Sequence, residues 1–145
     1  MIKFSIIIPS YNNLDLFKNA LFSVSEQDYN NYETVVVDDS TNTDIENYIS
    51  TLHDTRISYY HNIPSKGPIK NWNYGIQKAK GLFIIVLHHD EAFDRSDYLS
   101  ILAKEATKGY NIIISTVKVY QNGNIHSTLF PHRIKKLFIN HPILL

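Results

Sequence analysis

The sequence has no cysteine. That excludes disulfides and thiolate metal sites and agrees with a reducing compartment. An excess charge of either sign is missing as well. Fourteen Lys and Arg balance fourteen Asp and Glu, so no overall field draws the chain to nucleic acid or to an acidic membrane. No apolar run approaches the roughly 20 residues that cross a bilayer. The stretch from Met1 to Pro9 carries one basic residue and an apolar run too short and interrupted for a signal peptide. These absences predict a cytoplasmic protein with no transmembrane segment and no nucleic-acid partner, and leave peripheral contact at the inner face of a membrane open. Repeats, low-complexity segments and linkers are also missing. What remains, 145 residues of which 43% are hydrophobic and 19% charged, fits one domain over 1–145 with a single sizeable core.

Short apolar runs alternate with helical periodicity. Phe4 to Ile8 reads as a strand halted by Pro9-Ser10-Tyr11-Asn12-Asn13, where Asn12 or Asn13 can cap a helix. Leu14, Phe17, Leu21 and Val24 then form one apolar stripe. Thr34 to Val37 is a β-branched strand closed by Asp38-Asp39-Ser40, Asp44 to Leu52 a weaker helix, and Arg56 to His61 a short strand. Pro68 suits a first helical position. Ile69, Trp72, Ile76 and Ala79 make the expected inward stripe of that helix, with Gly81 as its stop. Leu82 to Leu87 is apolar on both alternating faces, as a strand buried in a parallel sheet would be.

Beyond Leu87, Ser96 or Asp97 can open a helix that ends at Gly109. Asn111 to Val119 reads as a strand, with Asn122-Gly123 returning Ile125 to Phe130 antiparallel, and His132 to Ile139 as a last helix. This order predicts an α/β domain, three layers with a mostly parallel sheet.

Three polar loops then fall at the carboxyl ends of three strands: Pro9-Ser10-Tyr11-Asn12, Asp38-Asp39-Ser40 and His88-His89-Asp90-Glu91. Open parallel sheets bring such ends to one edge, so an aromatic, a carboxylate pair and a His/Asp/Glu cluster can line one crevice. Each has a plainer reading. Tyr11 can be a surface aromatic, Asp38-Asp39 an Asx turn, and His88 and His89 loop residues whose side chains point apart. The coincidence of all three at matching ends is the signal.

Ser5-Ile6-Ile7-Ile8-Pro9-Ser10-Tyr11-Asn12, Val35-Val36-Val37-Asp38-Asp39-Ser40, and Asn71 to Gly81 running into Leu87-His88-His89-Asp90-Glu91 resemble family 2 glycosyltransferases of the GT-A fold, over about residues 3 to 110. The resemblance implies a crevice for a nucleotide-diphospho-sugar, most often a uridine diphosphate sugar, with a divalent metal. Nucleotide binding then falls to Pro9, Tyr11, Asn12, Asp38, Asp39 and His88, with Tyr11 packing on the base and Asp39 accepting from the uracil imide. Asp90 matches the last acid of the family's Asp-x-Asp signature and would hold the metal on the diphosphate, with His88 as a further candidate ligand.

Two departures accompany the resemblance. His88 stands where the signature has its first Asp. One negative charge fewer and an imidazole more predict weaker metal binding and a preference for Mn2+ over Mg2+. In the family, the general base that takes the acceptor's proton follows the hairpin and the next helix, so it is expected beyond Leu145 and the domain is expected to be incomplete at its carboxyl end. Glu91 and Asp94 sit at the metal end and are poor substitutes. The expected function is sugar transfer to an acceptor hydroxyl, saccharide or lipid-linked. The alternative is an inactive or truncated nucleotide-sugar-binding remnant. A phospho-acceptor domain fits less well because the acid pair follows the second strand rather than the first.

Overall fold

The computed structural model describes residues 3–115, 117–121 and 124–128. The chain divides into two compact units, 1–103 and 104–145. In the first, four strands, β1 (Phe4–Ser10), β2 (Tyr32–Asp38), β3 (Ile57–His61) and β4 (Phe83–Val86), form an all-parallel sheet in the order β3-β2-β1-β4. The second unit contains β5 (Val117–Gln121) and β6 (Asn124–Thr128), an antiparallel pair in which Gln121 faces Asn124 across the Asn-Gly step. The hairpin expected there is present. The expected strand starts only at Val117, and the helix expected over His132 to Ile139 lies outside the described residues.

The central strands are β-branched and buried end to end: Ile6, Ile7, Ile8, Val35, Val36 and Val37 are at most 1% exposed. Alternation along β2 gives each face its own partners. On one side α1 (Leu14–Ser25) and α2 (Asp44–Ser50) pack together, with Phe17 edge-on to Tyr48 and the Tyr32 hydroxyl donating to the Val24 carbonyl. Asn13 caps α1, accepting the Leu16 N–H at 3.1 Å. On the other side α3 (Pro68–Lys78) lies over Ile7, Val35 and Val37. Helices on both faces of a parallel sheet give the three layers.

The inward face of α3 is not the apolar stripe that periodicity predicts. Ile69, Trp72 and Ile76 are 68%, 36% and 41% exposed, while Asn71 and Gly75 are buried. The reason is close approach. A Cβ on Gly75 would lie 2.4 Å from Ile7 Cγ2, so α3 turns its smallest residue to the sheet, and Asn71 Nδ2 donates to the Val37 carbonyl at 2.9 Å. Gly81 also differs from expectation. It is not a left-handed stop, because positive φ among the glycines is confined to Gly67 and Gly109 within the described residues. It passes against β1 instead, where a Cβ would come within 2.5 Å of the Ser5 nitrogen.

Ser5, Glu33 and this crossing form one polar knot. Ser5 Oγ donates to Glu33 Oε1 at 2.6 Å, and the Lys80 and Gly81 N–H groups donate to Ser5 Oγ at 3.1 and 2.7 Å. Lys80 N–H also donates to Glu33 Oε1. From there β4 pairs with β1 in the register Phe4 to Phe83 through Ile7 to Val86. β4 is not buried on both faces as its composition suggested: Leu82 is 72% and Ile84 45% exposed. It is the edge of the described sheet, and α3 lies over β1 and β2 rather than over it.

Two outcomes follow. Gly75→Ala should cost about 1–3 kcal/mol through overpacking, and Gly81→Ala more than that, since its obstacle is backbone; urea unfolding measures both. Burial alone would raise the Glu33 carboxyl pKa, but hydrogen bonds from Ser5 and Lys80 and the Lys3 charge outweigh it and hold the pKa low. Glu33 therefore contributes stability that is present above the ordinary Glu value of about 4.3 and lost as pH falls through the lower folded value. Glu33→Gln should flatten this acid limb when urea midpoints are compared between about pH 6 and pH 3.

Candidate active-site cleft

The order of strand addition reverses between β1 and β4: β1, β2 and β3 are laid down outward in order, and α3 then carries the chain back to the other side of β1. Ligands bind at such a switch point, outside the carboxyl ends of the strands. A cleft of about 460 Å3 opens there. Pro9, Ser10 and Tyr11 line it from the end of β1, Asp39 from the end of β2, and His88, His89 and Asp90 from the end of β4. Ser65, Gly67, Pro68, Asn71 and Trp72 close it from the loop before α3 and from α3 itself.

Of the residues expected at this crevice, Pro9, Tyr11, Asp39, His88 and Asp90 come together. Tyr11 stands 53% exposed at the rim, free to offer a ring face. Asp90 is exposed at the far side. Asp38 and Asn12 are not among the lining residues. Asp38 ends β2 on the α1–α2 side and is wholly buried. Its Oδ1 accepts the Ser40 N–H at 2.9 Å and the Ser40 hydroxyl, and its Oδ2 accepts the Tyr59 hydroxyl at 2.8 Å. Burial, with the bond to Asp38, pushes the Tyr59 hydroxyl pKa far up, so it stays a donor. Asn12, in the left-handed region at φ 49°, accepts the Thr41 N–H at 2.8 Å and ties the loop after β1 to the loop after β2. Asp38 fixes the end of β2, and Asn12 holds the two loops together.

Asp39 faces the other way, toward α3, and its carboxylate is the hub of the loop at residues 62–67. It accepts Asn62 Nδ2 at 2.8 Å, Ser65 Oγ at 2.9 Å, the Gly67 N–H at 2.7 Å and the Lys66 N–H at 3.2 and 3.1 Å to its two oxygens. Asn62 Nδ2 also donates to Asn71 Oδ1 at 2.8 Å. Asn62 and Asn71 are each 3% exposed, and no buried side-chain nitrogen or oxygen is left without a partner among the described residues. Sequence reasoning missed both. The available signal was an Asn on the α3 face that packs against an apolar sheet.

His88 and His89 were expected to point apart, yet both line the cleft. The chain leaves the pleat after Val86 and turns at His89 and Asp90, so strand alternation no longer applies. The His88 ring meets Trp72 edge-on at 4.7 Å, the His88 backbone N–H donates to Glu91 Oε2 at 2.9 Å, and His89 Nδ1 lies 3.2 Å from the Pro9 carbonyl. The loop is anchored further on, where Phe93 N–H donates to Ser23 Oγ and Gln27 Nε2 to the Arg95 carbonyl.

For a divalent cation the fit is partial. Among the described residues no group of three His, Asp or Glu side chains gathers as a ready site. Asp90 supplies one exposed carboxylate to the cleft. A single carboxylate suits an ion that keeps most of its ligands from water and substrate phosphate.

The family model described as Glycosyl transferase family 2 matches residues 5–143. A Campylobacter jejuni protein named GalNAc(5)-diNAcBac-PP-undecaprenol beta-1,3-glucosyltransferase is 33% identical over 128 residues, covering 86% of this chain and 41% of that protein. An Escherichia coli protein named putative colanic acid biosynthesis glycosyl transferase WcaA is 35% identical over 89 residues, 60% of this chain and 32% of its own length. Among solved structures, S. aureus TarS 1-349 in complex with UDP superposes with a TM-score of 0.64 at 27% identity, covering 74% of this chain and 32% of that one. The mannosyltransferase PcManGT from Pyrobaculum calidifontis, in complex with GDP-Man and Mn2+, gives 0.62 at 25% identity, with 70% and 31% covered. The chain spans less than half the length of these relatives.

The two adjacent acids should separate cleanly in a stability experiment. Asp38→Ala leaves the Ser40 N–H and the Tyr59 hydroxyl without their acceptor and should cost about 2–4 kcal/mol. Asp90→Ala, at an exposed position, should change stability by less than about 0.5 kcal/mol in the same urea titration.

Proposed function

The chain belongs to glycosyl transferase family 2, and from that membership we propose that its cleft binds a nucleotide-diphospho-sugar, with uridine as the nucleoside, for transfer of the sugar to an acceptor hydroxyl. The observation that carries this reading is the convergence of Tyr11, Asp39 and Asp90, 79 positions apart at the extremes, on one cleft at the switch point of the sheet. Tyr11 offers a flat apolar face to a base, Asp39 an acceptor for a base N–H, and Asp90 a hard oxygen at the end where a diphosphate would lie. UDP in TarS and GDP-Man in PcManGT make nucleotide diphosphates the common ligand class of the two neighbours, with different bases.

A divalent cation supplies charge neutralisation on the diphosphate as it leaves. Asp90 would hold it, and His88, an imidazole in the place of a carboxylate, favours Mn2+ over Mg2+. Pro9 and Ser10 shape the wall beside Tyr11, while Asp38 holds the end of β2 and Asn12 ties the loop after β1 to the loop after β2. Glu91 is a turn cap, its carboxylate spent on the His88 N–H, so we place the general base outside this cleft. The printed name of the C. jejuni relative contains an undecaprenol-linked diphosphate, and a lipid-linked acceptor is accordingly the class we favour. No helix among the described residues is long and apolar enough to cross a membrane, so contact with such an acceptor would be peripheral.

Thermal melting tests the reading directly. UDP at 100 times its Kd should stabilise the fold by about 2.7 kcal/mol, with a part that requires Mn2+ and a smaller part obtained with Mg2+. Asp90→Asn should remove the metal-dependent part and leave the rest. No shift with any nucleotide diphosphate, with or without Mn2+, sinks the proposal, and a metal-dependent shift that survives Asp90→Asn sinks the metal assignment.

A further inference from the structure

We propose that the Ser65 hydroxyl is a place-holder on Asp39: it occupies the acceptor position that a pyrimidine imide N–H takes on binding, and it sets how strongly the cleft prefers uracil. This rests on the reading of Asp39 as the partner of the base and goes beyond it by naming what the base must displace.

A carboxylate has about four acceptor positions, and four donors already fill those of Asp39: Asn62 Nδ2, Ser65 Oγ and the N–H groups of Lys66 and Gly67. A ligand N–H can reach it only by exchange. Three of the donors cannot leave cheaply. Gly67 is the N-cap of α3, and its carbonyl accepts the Asn71 N–H at 2.9 Å, so moving Gly67 or its neighbour Lys66 unwinds the first turn. Asn62 is buried, its amide nitrogen is shared between Asp39 and Asn71, and its own N–H donates to the Asp38 carbonyl at 2.8 Å.

Ser65 is different. It is exposed, it lines the cleft beside Asp39, and a hydroxyl swings away by rotation about one bond. The exchange swaps one hydrogen bond to a charged acceptor for another, so base affinity is the difference between the two. Uracil carries an N–H between its two carbonyls and can make the swap. Cytosine has a bare ring nitrogen at that position and cannot. The hydroxyl also fills the fourth acceptor position of the buried carboxylate while the cleft is empty.

The test is calorimetric titration of the full chain with UDP and with CDP, each in excess Mn2+. Wild type should bind UDP more tightly than CDP, and Asp39→Asn should erase that preference. Ser65→Ala, which removes the competing donor, should tighten UDP by about three- to tenfold and leave CDP within about twofold. Ser65→Thr, which keeps a hydroxyl, should return the ratio to the wild-type value. If UDP and CDP move together in Ser65→Ala, or if UDP weakens, the place-holder is overturned while the reading of Asp39 stands. If wild type does not distinguish UDP from CDP and Asp39→Asn changes nothing, the reading of Asp39 falls and the place-holder with it.

Discussion

The whole arrangement hangs on how closely the segment from α3 to β4 can press against β1. Gly75 lets the α3 backbone down onto Ile7 and Val37, and Gly81 lets the following crossing slide past the backbone of Phe4 and Ser5. The Ser5–Glu33 pair then catches the Lys80 and Gly81 N–H groups as they pass. That contact sets where β4 begins along β1, and a parallel register once begun is kept to its end. The consequence appears four residues later: the Leu87 N–H reaches the Ile7 carbonyl at 2.9 Å, and His88, His89 and Asp90 emerge level with Pro9 and Tyr11. A bulkier residue at either glycine shifts the acid at the far end of the strand without touching it. Fold and chemistry are linked through register.

The same geometry explains why two neighbouring acids do different work. Successive residues along an extended chain face opposite sides of the sheet. Asp38 therefore meets the α1–α2 layer, where Ser40 and Tyr59 enclose it, and Asp39 meets the loop before α3. Low dielectric makes either carboxylate expensive without donors. Each is supplied, but with different groups. Asp38 is held by its own turn and a half-buried tyrosine, which makes it scaffold. Asp39 is held partly by an exposed serine, and that leaves one of its bonds open to exchange.

Much of this was legible in the sequence, for identifiable reasons. The strands were plain because β-branched runs such as Val35-Val36-Val37 have few other uses in a parallel sheet, and the Asn13 cap, Pro68 and the Asn-Gly hairpin carry local signals that need no tertiary knowledge. The meeting of the loops that carry Tyr11, Asp39 and Asp90 followed from topology, and the family resemblance picked out these three residues. What could not be read depended on distance between layers. Periodicity placed Ile69, Trp72 and Ile76 inward because apolar faces usually are. Gly75 inverts this by bringing the backbone nearer than any side chain allows, which turns Trp72 to the cleft wall against His88. Asp38 is placed with the nucleotide by the family resemblance, and the donors that enclose it, Ser40 and Tyr59, cannot be read from the sequence. The strand rule turns His89 away, but it is applied three residues past the end of β4.

If Asp90 holds the cation as proposed, a weak metal site can still be selective. Asp90 alone gives a cation one protein carboxylate, and replacing a second acid by His88 removes the charge that would otherwise hold the ion in the absence of substrate. Affinity must then come from the diphosphate. By linkage, whatever factor the nucleotide contributes to metal binding, the metal returns to nucleotide binding. A two-acid site would bind the ion first and independently. A one-acid site ties the two events together, so the ion is taken up mainly where a diphosphate is present to share it. Trp72, packed edge-on against His88, adds to this by holding the imidazole in place of a mobile second ligand. On the proposed reading, the departure from two acids shifts the source of affinity toward the substrate.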